Sequence, residues 1–164
     1  MEDKLGTKKI TKKKLLSYLM TGGIVVLLII IFNTSFLRMP VGWADFLGLV
    51  KAEPSYFPFE YKKRYMTATS CGRYCQTVEY HYTATKTELV VTATEKVSWY
   101  DDPKWDKDTK IKGTKYYYQD KNQKQYLYWK EEKEELELEI EYKGENKLIK
   151  SEIVKIANSV EPGR

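Results

Sequence analysis

The sequence predicts an α+β protein: an N-terminal transmembrane helix, then a curved antiparallel sheet with a C-terminal helix packed on one face. Three observations predict it. Leu15 to Leu37, LLSYLMTGGIVVLLIIIFNTSFL, holds no charged residue, and at about 1.5 Å rise per residue it can cross a hydrocarbon core roughly 30 Å thick. From Phe59 to Tyr142 the chain runs in short tyrosine- and valine-rich segments, several alternating with period two, the pattern of strands with one wet face. Near the end, Ile153, Val154, Ile156, Ala157 and Val160 form an apolar stripe at helical spacing, suited to packing on a sheet.

Charge sets the orientation of the first element. The 164 residues carry a net charge of +5. Lys4, Lys8, Lys9, Lys12, Lys13 and Lys14 precede the apolar run, opposed only by Glu2 and Asp3, so the rest is nearly neutral. A nucleic-acid partner is not expected, because its basic surface would lie on the folded part. Lysines ahead of the span place the amino terminus in the cytoplasm and everything after Leu37 outside. The rival reading, a cleaved signal peptide, lacks a small-x-small site near the apolar run. The expected layout is therefore a basic cytoplasmic tail over 1–14, a single-pass anchor over 15–37, a juxtamembrane segment over 38–53 and an extracytoplasmic domain over 54–164.

In the juxtamembrane segment Trp43 and Phe46 suit the headgroup interface. Ala44 to Ala52 reads as a short helix that stops before Pro54. Phe59 to Thr69 and Gln76 to Thr85 read as strands, the second with Val78, Tyr80 and Tyr82 opposite Thr77, Glu79 and His81. Glu88 to Trp99 follows, and Asp101 to Lys110, charged and containing Pro103, reads as a loop. Gly113 to Gln119 and Gln125 to Lys130 flank a hairpin turn at Asp120 to Gln123. The stretch KEEKEELELEIEY favours helix by composition, but Leu136, Leu138, Ile140 and Tyr142 alternate strictly with glutamates. That places the apolar groups on one face of a strand from Glu135 onward, with the glutamates solvated and of ordinary pKa. Ser151 is the expected N-cap of the closing helix.

The two cysteines, Cys71 and Cys75, sit in SCGRYCQ between two strands. Outside the cell, disulfides persist. The spacing is not the Cys-x-x-Cys of redox proteins, and His81 is the only histidine to complete a zinc site. A Cys71–Cys75 disulfide pinning a tight turn is the expectation.

No catalytic or metal-ligating spacing stands out, so no enzyme activity and no cofactor are expected. Trp99, Tyr100 and Trp105, and separately Tyr126, Tyr128 and Trp129, are the candidate contacts for a partner or ligand, by stacking on sugars or gripping lipid.

The segment PSYFPFEYKKRY resembles the Pro-x-Tyr-Leu-Pro-x-x-Tyr opening of the family called domain of unknown function 4367. IKGTKYYYQDKNQKQYLYWKEE is similar to its glycine-bearing strand and the Leu-x-Trp strand that follows, and LIKSEIVKIANSV to its closing helix. The likeness covers Ala44 to Val160. It implies an extracytoplasmic domain of a Gram-positive bacterium, of the kind found in some anti-sigma-factor-like and sporulation membrane proteins. It also implies a fold similar to the half-barrel of lipoprotein carriers and envelope-stress sensors, whose curved sheet can hold an acyl chain. Two features depart from that pattern. Met1 to Lys14 is too short for a sigma-factor-binding domain, and the cysteine turn is an addition. The resemblance brings no catalytic residues. The function expected is a non-enzymatic, membrane-anchored domain that binds or senses an envelope protein partner. The alternative is a lipid- or cell-wall-glycan-binding module.

Overall fold

The computed structural model describes residues 12–33, 37–72, 75–95, 106–111, 114–131, 133 and 135–163. Helix α1 spans Lys12–Asn33. Its 22 residues reach about 33 Å at 1.5 Å per residue. None of its apolar window Lys13–Ile30 is covered by the rest of the chain, so α1 is long and apolar enough to cross a membrane. A core helix of that composition would be buried against its own domain.

Past α1, Met39 pairs with Met66 through two backbone hydrogen bonds of 2.8 Å. A 3-10 turn at Val41–Trp43 leads into α2, Ala44–Leu47. The helix expected to reach Ala52 ends here, because Gly48 takes a left-handed φ of 63° and its N–H closes back on α2 carbonyls. Such a glycine cap terminates helices. Val50 and Ala52 are then fully buried, and Tyr56, Phe57, Phe59 and Tyr61 pack against the core.

Among the described residues seven strands follow: β1 Lys63–Gly72, β2 Cys75–Thr83, β3 Glu88–Glu95, β4 Asp106–Ile111, β5 Thr114–Lys121, β6 Lys124–Glu131 and β7 Leu136–Lys143. They form one open antiparallel sheet in the order β1-β2-β3-β7-β6-β5-β4. The last strand therefore inserts at the centre, between β3 and β6. Asn122 and Gln123 both take positive φ, 55° and 62°, which matches the two-residue hairpin turn between β5 and β6 to the twist of its strands. Helix α3, Lys150–Asn158, closes the chain.

The core lies on one face of this sheet. Tyr80, Tyr82, Leu89, Val91, Leu127, Leu138 and Ile140 point into it from the strands, and Ile153 and Ile156 meet them from α3. Buried Gln125 joins β6 to the approach of α3: its amide nitrogen donates to the Leu148 carbonyl at 2.9 Å, and its oxygen accepts from Leu148 N–H at 2.8 Å. The Tyr80 hydroxyl donates to the Val50 carbonyl at 2.7 Å, and burial pushes its pKa well above the ordinary tyrosine value. The far end of the chain pairs with the near end of the domain, Val160 with Pro54 and Gly163 with Lys51.

Four further expectations need correction. Residues 106–111, read as loop, form the edge strand β4; its sequence DKDTKI looks unlike a strand because edge strands commonly carry charge that discourages pairing with other chains. Strand β1 starts at Lys63 rather than Phe59, since Phe59 and Tyr61 are spent on the core. Ser151 is not the cap of α3: Ile149 holds that position with no side-chain hydrogen bond, and Ser151 lies inside the first turn. The glutamates of β7 do not form a solvated face. Glu137 is buried and Glu139 and Glu141 are half-buried, because β7 is central and neighbours on both sides shelter its outward side chains. The segment 96–105 lies outside the described residues.

Candidate functional site

Strand alternation sends every second residue to the face opposite the core. Two rows cross it in register. One runs Tyr65, His81, Val90, Glu141, Tyr126; the other runs Thr67, Glu79, Thr92, Glu139, Tyr128, Tyr117. Neither α3 nor the 50–61 segment packs here, since both sit on the core face.

At the β1 end the side chains interlock. The Tyr65 and His81 rings stack at 4.5 Å with planes 7° apart. The Arg38 guanidinium lies over the Tyr65 ring, 4.7 Å from its centroid. His81 Nε2 is 3.2 Å from Glu79 Oε2, which also accepts the Thr67 hydroxyl at 3.0 Å. His81 Nδ1 is 3.9 Å from Glu88 Oε1, too long for a hydrogen bond. Only 14% of the His81 side chain is exposed, so its two ring nitrogens face carboxylates in a largely dehydrated setting.

The carboxylates along the second row are tuned in opposite directions. The hydrogen bond from His81, then that from Thr67, holds Glu79 below the usual carboxylate range against some desolvation. Burial pushes Glu139 up, and the charges of Glu141 and Glu79 add to the rise. Burial also raises Glu137, offset in part by Lys130 and the Tyr128 hydroxyl; Lys130 Nζ lies 3.5 Å from its carboxylate. Glu141 is held by Lys124. Chemically the face offers preformed acceptors, stacked rings and one histidine. Among the described residues no group of three or more His, Cys, Asp or Glu side chains is placed to hold a metal ion.

The aromatic residues singled out in the sequence separate. Tyr126 is half-buried on this face, and Tyr128 is buried on it against Tyr117, ring centroids 6.0 Å apart. Trp129 points the other way, into the core beside Tyr116 at 5.6 Å. Trp99, Tyr100 and Trp105 lie outside the described residues. Cys75 faces Gly72 across the β1–β2 turn; the Cys71 side chain lies outside the described ones, and the Cys71–Cys75 bridge is a proposal. Sequence reasoning passed over Tyr65, Thr67, Glu79 and Glu139. Alternation alone could have grouped them, once the order of the strands was known.

A second feature lies where the chain enters the domain. A largely apolar cavity of about 250 Å³ is lined by Leu37, Met39, Leu47, Leu49 and Ala68 together with Thr69, Ser70 and Gln76.

No family model, no curated protein and no solved structure matches this chain.

Proposed function

We propose that this chain is a single-pass membrane protein whose domain lies outside the cytoplasm and binds an envelope protein partner without catalysing a reaction. One observation carries the reading: the interlocked Arg38–Tyr65–His81–Glu79–Thr67 array on the sheet face that α3 leaves open. Its groups are held in place before any partner arrives, which lowers the ordering cost of association. Tyrosine and arginine, both present in the array, are residue types enriched at protein-binding patches. An acyl chain would need an apolar lining instead, and five glutamates, Glu79, Glu88, Glu137, Glu139 and Glu141, share this face. The lysine-rich head before α1 supports a cytoplasmic amino terminus.

The lipid- or glycan-binding alternative draws support from a different place, the apolar cavity at the domain entrance. The two readings separate by photo-crosslinking in native membranes. A benzophenone amino acid at Thr92, at the centre of the open face, is expected to form a discrete adduct with a protein. The same group at exposed Lys86 is expected to form none. A lipid or glycan adduct from Thr92 with no protein would overturn the proposal in favour of the alternative. Protease added to intact cells with a permeable wall should remove the domain and spare the lysine head; the reverse pattern would invert the orientation.

A further inference from the structure

We infer that the segment from Leu37 to Leu47 is a membrane seat: Trp43, Phe46 and Leu47, with Leu37, enter the headgroup interface of the bilayer that α1 crosses and hold the domain against it. The inference rests on reading α1 as a membrane anchor.

Exposure singles the segment out. Trp43 is 52% exposed, Phe46 86%, Leu47 39% and Leu37 40%. Among the described residues outside α1, the one other large hydrophobic side chain so exposed is Ile149. Four large apolar groups within eleven positions are a patch, not the scatter of single exposed residues that any surface carries. Trp43 has helical backbone angles and leads directly into α2. The spacing of three and four residues to Phe46 and Leu47 therefore puts all three on neighbouring positions of one surface. Leu47 and Leu37 wall the same cavity, so the patch continues into it.

The tether decides what covers this patch. Leu37 stands four residues beyond Asn33, the last residue of α1. Four residues span at most about 14 Å, and the polar layer on each side of a hydrocarbon core is itself several Å thick. A bilayer crossed by α1 is therefore within reach of the patch in every copy of the protein. A soluble partner would have to compete with that permanent neighbour. The chemistry agrees. Tryptophan favours the headgroup level, and the one carboxylate in the patch, Asp45, is paired with Lys51, which lowers the cost of bringing it to lipid.

The test uses the full chain in lipid nanodiscs, with lipids brominated at shallow or deep positions along the acyl chain. Wild type and Trp43→Phe are compared, so that the difference isolates the emission of Trp43. The expected result is a Trp43 component quenched more by shallow than by deep bromines. Independently of how that variant folds, a benzophenone amino acid at Phe46 should yield lipid adducts. Retention in the discs with no bromine quenching and no lipid adduct overturns the seat and leaves the anchor standing. Adducts from position 46 only to a second copy or to another protein also overturn it. Failure of the chain to enter discs at all overturns anchor and seat together.

Discussion

Tyr65 and His81 lie directly opposite each other on β1 and β2, and their rings stack nearly parallel at 4.5 Å. The pair fixes the edge strand to its neighbour on the open face, while Glu79 and Glu88 approach the imidazole from β2 and β3. Stacked aromatic pairs contribute about 0.5–1.5 kcal/mol beyond their area burial. A double-mutant cycle with Tyr65→Ala and His81→Ala, read by urea unfolding, should return a coupling of that size. Additive losses would mean that the stack contributes nothing to stability.

Glu139 predicts an unusual pH response. Its pKa is raised by burial and by Glu141 and Glu79. Between the ordinary value of 4.5 and its raised native value, the folded chain holds a proton that the unfolded chain has released. Stability contributed through this group therefore falls as pH rises through that window. Glu139→Gln should raise the unfolding midpoint at pH 7, and the gain should fade as pH drops below 4.5. Glu79 runs the other way: its pKa is lowered, so its contribution is present above 4.5 and is lost as pH falls through its native value. Glu79→Gln should cost stability at pH 7. Thermal melts of both variants from pH 3 to 8 check the two signs; a parallel response would refute the opposition.

Gly144 follows β7 where the chain turns. A Cβ there would collide with the Tyr142 hydroxyl, and Tyr142 is buried. Gly144→Ala should destabilise by about 1–3 kcal/mol, the cost of overpacking. Gly163 has open space around it, and Gly163→Ala should stay within about 0.5 kcal/mol. Denaturant midpoints measured side by side distinguish the two sites, and equal effects would show that the steric argument is wrong.

Helix α3 begins uncapped. Ile149 occupies the N-cap with extended angles and is 68% exposed, so it loses little packing when replaced. Ile149→Asp supplies the missing acceptor and a favourable charge at the helix start. A gain of about 1 kcal/mol is expected; a loss would show that the isoleucine makes contacts worth more than a cap.

The proposed Cys71–Cys75 bridge closes so short a loop that its removal should cost less than about 2 kcal/mol. In protein taken from intact cells, both thiols should resist alkylation until a reductant is added. Ready alkylation without one would eliminate the bridge.

The order of legibility follows from the physics. The apolar span, the β2 alternation and the α3 stripe were visible because each expresses one local period, 3.6 or 2, over many residues. The central position of β7 was not, because strand order depends on contacts between distant segments. From LELEIEY alone one sees a face of glutamates; only the insertion between β3 and β6 shows that Glu137 and Glu139 are flanked on both sides and held above the ordinary carboxylate value by burial. The same limit hid the open-face site. Tyr65, Thr67, Glu79, His81 and Glu139 are each unremarkable along the chain and become a row only across strands. The aromatic run Tyr126–Trp129 misled for the opposite reason: neighbours in sequence sit on opposite faces, so Trp129 belongs to the core.

The pairing of Val160 and Gly163 with Pro54 and Lys51 has a consequence for biogenesis. The residues just outside the proposed anchor find these partners only after more than 100 further residues have been made, as the Ser55 contact to Ser159, 104 positions away, illustrates. An export channel threading this chain amino end first would release the opening of the domain long before its closing clasp. Until the final segment emerged, Val50, Ala52 and the aromatic residues after them would stand unclasped beside the translocation site. Such a nascent domain invites a holdase or a quality-control protease at that moment.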